Sequence, residues 1–285
     1  KADGNTDVNE LNILKKEIEK KSSELNLNYK EVMSTIELQS SEMISFNEFS
    51  QFCVTCTDFV ISKLQDHQYG KASWSFKQDG TRVTEVDFLI EDKLREQIIS
   101  AYPNHGISGE ERESINPNAD FVWVLDPIDG TFGFSKGVPL FGNLIGLTHK
   151  GRPKYGFLRL PMINNTWISG DCKQSFINGK ALKPKAFSGM NDSLILTTDQ
   201  QTLINSPINK YWQKAITLGA IARTWGDCYG YYLLCLGEAD LMVDTGLKPY
   251  DILPLIPILL GAGMRIEQLG DKENFSEIMA GKKEI

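Results

Sequence analysis

The sequence predicts an α/β protein in which an α+β lobe precedes an α/β lobe. Two observations point there. Phe121-Val122-Trp123-Val124-Leu125 is a continuous apolar run, the mark of a strand buried on both faces, and strand-like segments with turn signals follow it. After Ser193 the rhythm changes to strand and helix in alternation, which builds an α/β layer. The expected division is an N-terminal helical extension (1–44), the α+β lobe (45–190) and the α/β lobe (191–285).

Each element has its own warrant. Residues 1–7 read as a disordered start. Over 8–38 the pattern is helical and charged, with Leu11, Ile18 and Leu25 spaced by seven. That spacing fits a helix packed on a neighbour or a short coiled-coil seam. Ser45-Phe46-Asn47-Glu48 is a capping box, and the helix it opens carries Phe49, Phe52, Cys53, Cys56, Phe59, Val60 and Leu64 on one face. Thr84-Glu85-Val86-Asp87 is a second box, before a helix over 86–101. Strands follow at 105–108, 121–125, 144–148, 155–160, 165–169 and 174–177, separated by turn signals such as Lys150-Gly151 and Asn178-Gly179. In the second lobe, strands at 193–198, 221–224, 239–243 and 264–267 alternate with helices at 207–218, 227–236 and 250–260.

Composition excludes several functions. The chain has 285 residues, 41% of them hydrophobic, which is enough for a sizeable core. Thirty Lys and Arg against 37 Asp and Glu give a net charge of −7. Nucleic acids and anionic membranes demand clustered Lys and Arg, so neither is an expected partner. The longest apolar candidate for a membrane span, 252–260, is short and broken by Pro254 and Pro257. The five cysteines include one C-x-x-C, Cys53 and Cys56, with no second pair or His pair to complete a zinc site. Buried, reduced thiols in a cytoplasmic protein are expected, with redox or metal use as the alternative. The first residue is Lys1, which leaves room for a removed targeting segment upstream.

The chemistry is concentrated in carboxylates. Asp126-Pro127-Ile128-Asp129-Gly130-Thr131 directly follows the buried strand, where ligands of α/β sheets bind. Pro127 stiffens the turn and Gly130 lets the backbone approach a ligand. A short helix over 131–136 would point its free N–H groups at an anion such as phosphate. Acids beside an anion site make electrostatic sense with a hard cation between them, and Mg²⁺ suits all-oxygen ligands. The plain alternative is a tight turn with a capping aspartate. Gly109-Glu110-Glu111 follows a strand, or is simply a solvated acidic turn. Asp87 is a capping-box acid or more. Trp225-Gly226-Asp227-Cys228-Tyr229 opens a helix. Asp251, in Lys248-Pro249-Tyr250-Asp251, is a first-turn dipole partner or a metal ligand.

Taken in order, these segments resemble the inositol monophosphatase superfamily of Mg²⁺-dependent, Li⁺-sensitive phosphatases, over about residues 45–267. The motifs are the acidic turn 109–111, the string 126–131 and the closing stretch 237–263. The resemblance implies the layered α-β-α-β-α fold and two or three Mg²⁺ ions. It implies that Glu110, Asp126 and the carbonyl of Ile128 hold one ion, Asp126, Asp129 and Asp251 a second, and Asp87 with Glu110 a third. Thr131 with Glu110 would orient the attacking water. The N–H groups of Gly130 and Thr131 would hold phosphate, and Lys77 is a basic position near the metals. His67, His105 and His149 fall outside the motifs and read as surface or structural. A homodimer is the family expectation.

The substrate that this resemblance implies is a small phosphate ester. The segments 223–230, 137–145 and 246–251 are similar to the branch that acts on histidinol phosphate in histidine biosynthesis. Asp227 and Asp244 would offer anions to the ammonium and imidazole of histidinol, or else cap a helix and end a strand. Phe132-Gly133-Phe134 and Gly263-Met264 depart from that branch. Inositol 1-phosphate is the alternative substrate, with sugar bisphosphates and 3′-phosphoadenosine phosphates behind it. A catalytically silent binding protein is the alternative of another class.

Overall fold

Helix α1 (Phe46–Asp66) begins one residue after Ser45 and buries Phe49, Cys53, Cys56, Val60 and Leu64, the expected apolar face. The computed structural model describes residues 16, 20, 43–66, 73–77, 80, 82–269 and 275–285. Most of the heptad-patterned segment 8–38 and His67 therefore lie outside the described residues. Phe46–Ile285 form one compact unit, separate from Lys1–Ser45.

After α1 comes an antiparallel ribbon, β1 (Trp74–Phe76) and β2 (Arg82–Thr84), which no sequence periodicity announces. Thr84 caps α2 (Glu85–Ala101): its hydroxyl accepts from the N–H groups of Val86 and Asp87, and Asp87 accepts from the Thr84 N–H at 2.9 Å. The second capping box is thus real.

The large sheet has seven strands in the order β3 (Gly106–Gly109), β4 (Phe121–Asp129), β5 (Gly142–His149), β6 (Arg152–Leu160), β7 (Thr166–Gly170), β8 (Ser175–Ile177) and β9 (Lys180–Ala181). Neighbours from β4 onward are antiparallel. Lys150-Gly151 and Asn178-Gly179 make two of the turns, all four residues with positive φ, as tight hairpins require. Only β3 joins in parallel, so its C-terminal end and that of β4 open on one edge. The short helix α3 (Thr131–Ser135) lies between β4 and β5.

The second sheet follows the alternation expected after Ser193. Its elements are β10 (Leu194–Leu196), α4 (Gln200–Ile204), α5 (Asn209–Thr217), β11 (Ile221–Arg223), α6 (Asp227–Leu236), β12 (Leu241–Thr245), α7 (Pro249–Ile252), α8 (Leu255–Gly261), β13 (Arg265–Gln268) and β14 (Glu277–Gly281). The strand order is β11-β10-β12-β14-β13. Two differences have physical causes. The single helix expected over 250–260 is divided, because Pro254 has no N–H to continue α7. The strand β14, too short for a clear period, returns from the C-terminus between β12 and β13.

Five layers result. Phe49 of α1 stacks on Trp123 of β4, with ring centroids 5.5 Å apart, on one face of the large sheet. Tyr231, Leu234 and Cys235 of α6 and Leu255, Ile258 and Leu259 of α8 fill the space between the sheets. They meet Leu144, Leu158 and Ile168 on one side and Met242, Ile278 and Ala280 on the other. Leu203, Ile208, Trp212 and Ala215 cover the far face of the small sheet against Ile195, Leu241 and Val243. The order is α-β-α-β-α.

The middle layer sits very close to β6. A Cβ on Gly156 would lie 1.9 Å from the Pro254 carbonyl oxygen and 3.1 Å from Ile258 Cγ1. Gly156→Ala should therefore lower stability by about 1–3 kcal/mol, the usual effect of overpacking. Urea denaturation checks this; an unchanged midpoint would contradict the close approach.

Candidate functional site

Parallel pairing of β3 with β4 aligns Gly109 with Leu125, and the Glu110 N–H continues the ladder to the Leu125 carbonyl at 3.1 Å. The acidic turn after β3 and the aspartates ending β4 are thereby delivered to the same edge. In a regular strand Asp126 and Asp129, three apart, would face opposite sides. Here the β4–β5 register shifts, with Asp126 opposite Leu144 and Asp129 opposite Gly142. That bulge absorbs the extra residue and turns both acids one way. Pro127 sits in it, and its carbonyl accepts from the Asn143 side-chain amide.

Asp251 joins them from the first turn of α7, where one oxygen accepts from the Lys248 N–H at 2.7 Å. Asp126, Asp129 and Asp251 each offer an oxygen within 4.8 Å of the others. No other such cluster of His, Cys, Asp or Glu occurs among the described residues. Asp126 is 1% exposed, and its Oδ1 is buried without a hydrogen-bond partner. Burial, reinforced by Glu110, Asp129 and Asp251, pushes the Asp126 carboxyl well above the usual range. Asp129 is pushed up likewise, by burial and then by Asp227 and Asp251. Burial raises Asp251 to about 7.

The other expected residues surround this trio. Glu110 is pushed up to about 7, mainly by burial, against the opposing pull of Lys77. Lys77 Nζ donates to Glu110 at 2.6 Å and to Glu111 at 2.7 Å. Thr131 Oγ1 donates to the Ile128 carbonyl at 2.8 Å and lies 3.2 Å from Asp87 Oδ1, so the hydroxyl, the carbonyl and Asp87 form one group. Gly130, at φ +91°, supplies the left-handed turn that starts α3.

Asp227 and Asp244 are tied together by Thr198. The Thr198 N–H and hydroxyl donate to the two oxygens of Asp244, both at 2.9 Å, and Thr198 Oγ1 accepts from the Asp227 N–H at 2.8 Å. This props Asp227 in a left-handed conformation, φ +49°, at the start of α6. Its Oδ2 comes within 3.2 Å of where a Gly130 Cβ would be, so Asp227 flanks the α3 start. Burial, then Asp244, raises Asp227 to about 7. Asp244 itself is buried, with both oxygens engaged by Thr198, and burial raises it to about 6.

Sequence reading missed the supports. Glu91 and Arg95, four apart on α2, form a buried pair at 2.8 Å. Glu91 accepts from the N–H groups of Glu111 at 2.8 Å and Arg112 at 3.1 Å, and Arg95 donates to the carbonyls of Arg112 and Glu113. The pair holds the acidic turn in place. An i,i+4 Glu–Arg pair was visible, but it resembles any exposed helix pair. The Cys228 N–H, donating to Asp129, was likewise invisible. The histidines outside the motifs are structural where described: Trp123 Nε1 donates to His105 Nδ1 at 3.0 Å, and His149 stacks on Phe121. All five cysteines are free, and burial pushes Cys56 up to about 12, the character of an inert thiol.

Comparison with known proteins is consistent with this geometry. The family described as "Inositol monophosphatase family" matches residues 53–281. The chain is 35% identical over 189 residues to the bifunctional phosphatase IMPL2, chloroplastic, of Arabidopsis thaliana, covering 66% of this chain and 54% of that protein. It is 33% identical over 187 residues to a histidinol-phosphatase of Chlorobaculum parvum, covering 66% of this chain and 72% of the relative. The match thus spans about half the length of the first relative. A solved inositol monophosphatase from Zymomonas mobilis superposes with a TM-score of 0.70 at 27% identity, over 85% of this chain and 96% of the other.

The electrostatics sets a pH dependence. Carboxyls whose folded-state pKa exceeds the unfolded value bind more protons when folded. Their contribution to stability is complete below the ordinary range and is lost as pH rises through the folded value. With Asp251 and Glu110 raised to about 7, the metal-free protein should lose Tm from roughly pH 4 to pH 7. Divalent cation should restore Tm most at the upper end. Melting curves in chelator and in Mg²⁺ check this; a metal-free Tm that rises over that interval would contradict it.

Proposed function

The chain belongs to the inositol monophosphatase family, and from that premise we propose that it is a Mg²⁺-dependent phosphomonoesterase acting on histidinol phosphate. The observation that carries the metal-dependent reading is the trio Asp126, Asp129 and Asp251, with a buried, unpartnered Asp126 oxygen at its centre. The donor set is all oxygen, and its acids are strained by one another. Both properties suit a hard divalent cation.

In this reading Glu110, Asp126 and the Ile128 carbonyl hold one Mg²⁺, Asp126, Asp129 and Asp251 a second, and Asp87 with Glu110 a third. Bound there, the ions neutralise phosphate charge and lower the pKa of water toward ~7. The protein's own residues do the rest. The N–H groups of Gly130 and Thr131 bind phosphate oxygens at the start of α3. Thr131 Oγ1, fixed by Ile128 and Asp87, aims the attacking water together with Glu110. Lys77 offsets the paired charge of Glu110 and Glu111, so that the acidic turn stays compact beside the phosphate. Phosphoryl transfer asks mainly for such positioning and charge balance.

For the substrate, the supporting feature is Asp227 at the edge of the α3 start, held there through Thr198 by Asp244. A carboxylate beside the phosphate site matches a cationic leaving group, and histidinol carries an ammonium and an imidazole. In this scheme Asp227 meets the substrate and Asp244 positions Asp227. Inositol 1-phosphate is the second reading, supported by the family and by the Zymomonas likeness.

A phosphate-release panel with and without Mg²⁺ and Li⁺ tests both. Histidinol phosphate should be hydrolysed in Mg²⁺ and inhibited by Li⁺, with Asp126→Asn lowering kcat by about 10³-fold or more. Release from inositol 1-phosphate but not histidinol phosphate would overturn the substrate. Release from no ester would overturn the phosphatase.

A further inference from the structure

The β1–β2 ribbon is too short to hold itself. Two strands of three residues are marginal alone, and Trp74, Ser75 and Phe76 are all exposed. Yet Lys77, directly after β1, reaches Glu110 and Glu111 with a single ammonium group. Something must fix the ribbon.

Two stitches join it to α3. At one end, Thr84 pairs with Asp87, and Asp87 Oδ1 lies 3.2 Å from Thr131 Oγ1. At the other, Arg82 Nη1 donates to Ser135 Oγ at 3.0 Å, and Ser135 Oγ donates to the Phe132 carbonyl at 2.8 Å. The Arg82 guanidinium also lies 4.0 Å from the centroid of the Trp74 ring and 4.5 Å from that of Phe132. One planar cation thus meets an indole of β1 and a phenyl of α3, and bonds the same helix. Trp74 is 40% exposed and Phe132 64%, so neither ring is there to fill the core. Phe132 is also a departure from the branch this sequence resembles, and the phosphatase reading gives it no task.

We infer that Arg82 is a positioning residue whose guanidinium, held by Trp74, Phe132 and Ser135, clamps the β1–β2 ribbon to α3 and fixes Lys77 beside Glu110 and Glu111. Only a flat, forked cation can stack on rings and bond Ser135 together; a lysine offers a point charge. The kinetic consequence rests on the phosphomonoesterase reading. An unclamped ribbon must be ordered each time substrate binds, so apparent affinity falls by the fraction of time it is docked.

The test uses Arg82→Ala, Arg82→Lys and Phe132→Ser. Hydrogen exchange is measured at the amides of 74–76 and 82–84, and ester kinetics in Mg²⁺. The two positions changed, half-buried Arg82 and exposed Phe132, lie outside the core, so the Tm serves as an internal control for the fold. Exchange in the ribbon should quicken about tenfold in each variant while β4 and β5 keep their protection. KM should rise about three- to tenfold, with kcat changing less. Ribbon exchange unchanged in the variants would overturn the clamp. So would Arg82→Lys matching the wild type, since charge alone would then suffice. If the wild type hydrolyses no ester, the phosphatase reading fails while the exchange result still decides the clamp.

Discussion

Five carboxylates from four separate segments converge at the carboxyl ends of β3 and β4, and they are taken out of water together. Desolvation penalises their charged forms, and neighbouring acids add to that penalty at Glu110, Asp126, Asp129 and Asp251. Such a set is tolerable in two states: partly protonated, or charged around a cation. The rest of the site can be understood as the means of holding acids in that uncomfortable arrangement. The β4 bulge faces Asp126 and Asp129 the same way, and Asn143 takes the carbonyl that the bulge would otherwise leave idle. The Glu91–Arg95 pair fixes the backbone of the acidic turn, and Lys77 supplies a cation there.

The layers explain why these segments meet. A parallel β3–β4 pair places two strand ends on one edge, and the middle helical layer brings α6 and α7 to the same place from the second sheet. Asp251 and Asp227 arrive by that route, each in the first turn of its helix. Close approach of β6 to Pro254 sets how near that helical layer comes to the large sheet. Packing outside the acidic cluster therefore bears on its spacing.

Much of this was legible in the sequence, for definable reasons. The apolar run 121–125 and the strand–helix alternation after Ser193 are strong signals, and the two large sheets follow them. The Thr84 capping box is local chemistry and reads directly. The acids Asp126, Asp129 and Asp251 were grouped through the family resemblance, and the structure brings them together. What stayed hidden depends on contacts across long separations. The ribbon at 74–84 has strands too short for a period, and β14 is defined only by its partners β12 and β13. Asp244 read either as a group that faces a ligand or as the end of a strand. Its two bonds to Thr198, 46 residues away, could not be foreseen.

The net charge of −7 suggests, by itself, a protein that repels phosphate. With cations bound among the acids, as the proposed function requires, the local sign would reverse, and bulk charge would stop being a guide to the ligand. The most direct test of that account is calorimetric titration of Mg²⁺ near pH 6.5 in buffers of different ionisation enthalpy. Acids raised to about 7 or above must give up protons when the ion binds, on the order of one per protein molecule. Binding that is lost in Asp126→Asn and releases protons in the wild type is the predicted result. Binding without proton release, or no Mg²⁺ binding at all, would contradict it.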